Sequence, residues 1–186
     1  MKELALHILD IVQNATRAGA DEVYISITES RQNNLYAIEI ADNGPGMSED
    51  MQQKVLDPFF TTRTTRKVGL GLPLLQQNAR LAGGDLKIES ELGKGTRVRA
   101  WFQHDHIDRL PAGDLAGTLW LIFQGNPGVR FIYSHTTDQG TFELDTRAFA
   151  QTLGCQNPWN IPELRQPILD YLNYNISELG GEINTP

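Results

Sequence analysis

The chain has 186 residues, 40% of them hydrophobic and 21% charged, which is enough to bury a full core in one domain or in one domain with a substantial appendage. A formal net charge of -7 excludes the basic footprint of a nucleic-acid-binding protein, while leaving room for a local positive field around a nucleotide. The single cysteine, Cys155, can close no internal disulfide and has no metal-ligand spacing around it, so it reads as a small buried hydrophobe.

At the N-terminus, Glu3, His7 and Asp10 interrupt the apolar residues. That excludes a signal peptide and a membrane span, and a cytoplasmic protein without a membrane partner is expected. Residues 3 to 18 read as a helix, with Leu4, Ile8, Ile11, Val12 and Ala15 on one apolar stripe. Val23 to Thr28 and Leu35 to Ala41 read as strands, the second running into the tight loop Asp42-Asn43-Gly44-Pro45-Gly46. Ser48 caps a short helix. Asp57 to Val68 is a loop rich in Thr and Arg, and Leu72 to Ala82 is a helix stopped by Gly83-Gly84. Leu86 to Ser90 and Thr96 to Phe102 form a hairpin. After Gln103 the texture changes. A polar connector leads to three expected short strands: Thr118 to Gln124, Val129 to Ser134, and Thr141 to Leu144. A helix capped by Asp145 and a last helix from Pro162 to Leu179 follow.

Three features carry chemistry, and each alone has a bland reading. Asp42, at a strand end, can accept from an exocyclic amine or can be an acidic turn residue. Gly69-Leu70-Gly71-Leu72 precedes a helix, whose first N–H groups and dipole suit an anion. It lacks the Lys-Ser/Thr of a P-loop and the preceding strand of a dinucleotide fingerprint. Asn14, near the edge of the apolar stripe, is either a packing amide or a hard oxygen donor for Mg²⁺.

In order, these pieces resemble the boxes of the GHKL ATPases, the superfamily of sensor histidine kinases, DNA gyrase B, Hsp90 and MutL. Asp10 to Ala20 resembles the N-box, and Asp42-Asn43-Gly44-Pro45-Gly46-Met47 the first glycine box. Asp57-Pro58-Phe59-Phe60-Thr61-Thr62-Arg63 is similar to the F-box of histidine kinases. Gly69-Leu70-Gly71-Leu72 looks like the second glycine box and Gly93-Lys94-Gly95-Thr96 like the last. The resemblance covers residues 1 to about 103.

The resemblance implies a two-layer α/β sandwich of the GHKL (Bergerat) type with a mixed sheet. The elements read after Gln103 make residues 104–186 a small α+β appendage, expected to extend the sheet or to form a homodimer. It implies ATP and Mg²⁺ as ligands. Asn14 would ligate the metal, Asp42 would bind the adenine amino group, and Thr96 would support it through a water. Gly44 and Gly46 would wrap the base; Gly69, Leu70, Gly71 and Leu72 would present N–H groups to phosphate. Arg17 stands where histidine kinases often carry a basic residue that reaches phosphate, and Arg63, Arg66 and Lys67 are either phosphate contacts or solvated loop cations.

Three departures bear on function. Asp10 stands where hydrolysing relatives carry a glutamate base and histidine kinases an amide; it is either a general base, one methylene short, or a helix carboxylate. No helical hairpin with a phosphoacceptor histidine stands before the N-box in this sequence. The segment between the F-box and second glycine box is short, and Lys67 replaces a glycine there. Three functions follow as alternatives: a phosphotransferase acting in trans on a partner protein in two-component-type signalling, an ATPase switch using Asp10, or a non-catalytic nucleotide sensor.

Overall fold

Alternation along the strands sets the main layer. In β1 (Glu22–Ser30), Val23, Ile25 and Ile27 are fully buried while Tyr24 faces solvent. In β2 (Leu35–Asp42), Tyr36, Ile38 and Ile40 take the same inner face. The helix-forming stretches carry their apolar residues at helical spacing. In α1 (Leu4–Arg17), Leu4, Ile8, Val12 and Ala15 are buried on one stripe. These two periodicities allow one solution, helices laid on one face of a sheet.

The computed structural model describes residues 1–57 and 71–183. After β2 come α2 (Glu49–Lys54), α3 (Gly71–Leu81), β3 (Asp85–Glu91), β4 (Gly95–Gln103), α4 (Leu115–Gly125), β5 (Arg130–Thr137), β6 (Gly140–Asp145), α5 (Thr146–Thr152), a single 3₁₀ turn at Pro158–Asn160 and α6 (Pro162–Glu178). The strands form one six-stranded sheet in the order β3-β4-β2-β1-β5-β6. Neighbours are antiparallel except β1 and β5, which run parallel, so the sheet is mixed. The helices pack on its inner face, and the charged side chains of Lys87, Glu89, Arg97 and Arg99 are exposed on the outer one.

Residues after Gln103 extend this sheet. Arg130, at the start of β5, donates to Glu22 of β1 at 2.9 Å and to Asp145 at the end of β6. Phe131 N–H donates to the buried Thr146 hydroxyl at 3.0 Å. At the far end of β1 the buried Glu29 carboxylate accepts from His135 at 2.8 Å and from the Glu182 backbone N–H at 2.9 Å. Burial pushes the Glu29 carboxyl up, but hydrogen bonds from His135 and Glu182 outweigh it and hold the group below its ordinary value. The connector also completes α1. No side chain caps α1 among the described residues; its first N–H groups, on Leu4 and Ala5, donate to the Pro111 and Ala112 carbonyls at 3.0 and 2.9 Å.

Two expectations are corrected. Thr118 to Gln124 is not a strand but part of α4. Its apolar run suits a buried helix as well as a strand, and the Asp114 side chain caps it by accepting from Gly117 N–H at 2.8 Å. Cys155 is a free thiol, half-buried instead of buried.

Candidate functional site

The register of the sheet gathers the site at one end. Ser90 of β3, Thr96 of β4, Asp42 of β2, Val23 of β1 and Phe131 of β5 form a single row across five strands. Asp42 is the last residue of β2, and its carboxylate accepts the Gly44 N–H at 2.8 Å. Partial burial pushes its pKa above the ordinary value, against hydrogen bonds from the Gly44 and Thr96 backbone. Thr96 Oγ1 lies 2.8 Å from Ser90 Oγ. An open hollow of about 350 Å³ lies at the ends of β2, β3 and β4; Asp42, Ser90, Gly95 and Thr96 border it together with Glu89, Lys94 and Arg97, so it opens toward the outer face of the sheet.

The loop after Asp42 is tied down on both sides. Asn43 Oδ1 accepts the N–H groups of Asp21 and Glu22 at 3.1 and 3.0 Å, and its Nδ2 donates to the Asp21 carboxylate at 2.7 Å. The Pro45 carbonyl accepts Gly93 N–H at 2.8 Å, which interlocks this loop with the β3–β4 turn. Gly46 has φ +68, and a Cβ there would overlap the Glu91 carbonyl, so only glycine lets the two turns meet.

The second group of site residues lies between α1 and α3. His7, Asp10 and Asn14 are spaced i, i+3, i+7 along α1. The Asp10 carboxylate sits against Gly71, the first residue of α3, in the space a Cβ would take, which explains the glycine. One turn earlier, the buried His7 places Nε2 3.3 Å from Asn78 Nδ2. Burial, with the N-terminal amino group acting the same way, pushes the His7 pKa down to about 4, against an opposing contact with the Gly71 backbone. Leu72 is partly buried against the core.

Asn14, expected near the edge of the apolar stripe, is exposed on the last turn of α1. Arg17, also exposed, donates to Gln13 Oε1 at 3.5 Å. Asp42, Gly44, Gly46 and Thr96 are thus brought together at the sheet end, and Asp10, Gly71 and Leu72 at the start of α3. Arg63, Arg66, Lys67, Gly69 and Leu70 lie outside the described residues, as does the F-box from Pro58 onward. Sequence reasoning missed Ser90, Asn43 and Asn78. Ser90 could have been found by folding the hairpin about Leu92-Gly93-Lys94, which sets it opposite Thr96.

Chemically, the row end offers hydrogen-bond acceptors, and the start of α3 offers N–H groups and a dipole suited to an anion. Among the described residues, no group of three or more His, Cys, Asp or Glu side chains is placed to hold a metal ion. The exposed amide of Asn14 fits a metal only as one hard donor beside water and ligand oxygens. No described helix is long and apolar enough to cross a membrane.

A family model described as histidine kinase-, DNA gyrase B- and HSP90-like ATPase matches residues 2–106. The tetrathionate sensor histidine kinase TtrS of Salmonella typhimurium is 32% identical over 106 residues, 55% of this chain and 17% of that protein. The signal transduction histidine-protein kinase ArlS of Staphylococcus aureus is 32% identical over 99 residues, 50% of this chain and 22% of that protein. The C4-dicarboxylate transport sensor protein DctB of Pseudomonas aeruginosa is 39% identical over 74 residues, 39% of this chain and 12% of that protein. The chain thus spans less than a quarter of the length of these relatives. The crystal structure of the N-terminal domain of a DNA repair protein is similar in fold, with a TM-score of 0.55 at 18% identity, covering 78% of this chain and 53% of that one.

Proposed function

The chain belongs to the histidine kinase-, DNA gyrase B- and HSP90-like ATPase family, an ATP-binding family, and on that premise we propose that it binds Mg-ATP and passes the γ-phosphate to a partner protein. The observation that carries the reading is the Asp42 carboxylate, an acceptor, set beside the Thr96 hydroxyl in adjacent register at the open end of the row. Adenine turns an exocyclic amine, a donor, toward such a pair. Gly44 and Gly46 let the backbone close on the base. Gly71 and Leu72 open α3, whose first N–H groups face phosphate in this reading; Arg17 would add charge there, and Arg63, Lys67, Gly69 and Leu70 enter only through the family resemblance. Asn14 would hold a Mg²⁺ ion, which would neutralise phosphate charge when bound. In the transfer, the bond from the γ-phosphorus to the bridging oxygen breaks, ADP leaves with the electron pair, and a bond forms to a histidine nitrogen or a serine oxygen of the partner, whose proton goes to solvent.

Asp10 favours transfer over hydrolysis. Its carboxylate is packed on the first residue of α3, which suits a residue that seats α3 on α1 better than one that activates water. The sensor kinases among the relatives support the same reading.

The test is the fate of labelled γ-phosphate. The protein incubated with Mg²⁺ and γ-labelled ATP should release no phosphate above background, and label should appear on a second protein only when host-cell extract is added. Steady release by the isolated protein, abolished by Asp10→Asn, would establish an ATPase switch instead. Binding with neither release nor transfer would establish a nucleotide sensor.

A further inference from the structure

Ser90 belongs to none of the glycine boxes, yet it orders the base end of the site. It is half-buried, one residue from the end of β3 and opposite Thr96. Its hydroxyl accepts the Met47 N–H at 2.7 Å, donates to the Gly95 carbonyl at 2.9 Å and lies 2.8 Å from Thr96 Oγ1. Gln52 binds the same corner, donating to the carbonyls of Ser90 and Met47 at 2.8 and 3.2 Å. The loop after Asp42 and the end of β3 are therefore one unit.

Counting protons fixes the direction of the contact with Thr96. A serine hydroxyl has one proton and two lone pairs. The Gly95 carbonyl can only accept, so it takes the Ser90 proton. The Met47 N–H occupies one lone pair, and the Thr96 proton fills the other. Thr96 Oγ1 is left with lone pairs alone, next in register to the Asp42 carboxylate.

We propose that Ser90 is a specificity-determining residue: by holding the Thr96 hydroxyl as an acceptor, it makes the base end of the site read donors only. The site then selects a purine carrying an exocyclic amine over one carrying an exocyclic carbonyl. A water held between the Asp42 carboxylate and Thr96 Oγ1 would spend both protons on these acceptors and could only accept from the base, so the carbonyl oxygen of hypoxanthine would find no donor there. This inference rests on the reading of Asp42 and Thr96 as base contacts.

The test compares equilibrium binding of Mg-ATP and Mg-ITP to the full chain, with a thermal melt for each variant. Wild type should prefer ATP. Ser90→Ala frees the Thr96 proton to turn outward as a donor, and should narrow the ATP-to-ITP preference by roughly tenfold. Ser90→Thr keeps the hydroxyl and should keep the preference. An unchanged ratio in Ser90→Ala, or an equal loss for both nucleotides, overturns the inference while leaving nucleotide binding intact. Should Ser90→Ala fail to fold, Ser90→Cys, whose thiol is a poor acceptor for the Thr96 proton, takes its place: a narrowed ratio supports the inference and an unchanged one overturns it. A wild-type chain that binds neither nucleotide overturns both this inference and the reading beneath it.

Discussion

His7 shows how one buried side chain couples the site to pH. It is 1% exposed, beside Asn78 and the Gly71 backbone, and its pKa is pushed from 6.5 to about 4. Between those values the unfolded chain binds the proton and the folded chain does not, so stability rises with pH across this window. One proton over that interval is worth at most roughly 3 kcal/mol. Denaturant titrations from pH 6.5 down to 4 should show this loss, and His7→Gln should flatten it. Curves for the two proteins that run parallel would remove His7 as the cause. Glu29 adds to the loss only at the acid end of the window, because its depressed carboxyl begins to give up its contribution as pH falls through the ordinary value of 4.5, and His7→Gln leaves that part in place. At this scale much of the candidate site was legible, because Asp42, Gly46, Gly71 and Thr96 sit in ordered motifs. Ser90 and Asn78 were not, since their roles depend on partners across a strand pair and a helix pair.

At the scale of elements, legibility followed periodicity. α1, the first two strands and the β3–β4 hairpin each show one dominant period, and tertiary packing leaves them where local preference puts them. α4 does not. Leu115 to Trp120, Ile122 and Phe123 are all buried, so the helix is apolar almost all round and has no amphipathic signature. Its β-rich composition favours a strand, and the fold overrides that preference by surrounding it with α1, α6 and the aromatic rings of Phe131 and Trp159. The Asp114 cap was the local clue. The capping of α1 was hidden although its bounds were not, because the carbonyls that complete it come from a connector about a hundred residues away in sequence.

Across the whole molecule, the residues matched by the family model are not the whole sheet. β5 pairs with β1 from Glu22–Arg130 to Glu29–Thr137, and α4 lies against α1. Shortening the chain to residues 1–106 would open β1 as an edge and strip the cover that Trp120, Phe123, Phe131 and Tyr133 provide. Such a fragment should lose its cooperative thermal transition; a fragment melting like the full chain would show that the first segment folds alone. The parallel β1–β5 pair was invisible in the sequence, because nothing local marks which strand a long crossover will meet. The same architecture holds the row Ser90, Thr96, Asp42, on which the functional account rests. Calorimetric titration of Mg-ATP into wild type and Asp42→Ala tests that account most directly. It predicts saturable binding by wild type and none by the variant at the same concentrations, both retaining their melting transition; equal affinity in the two proteins would contradict it.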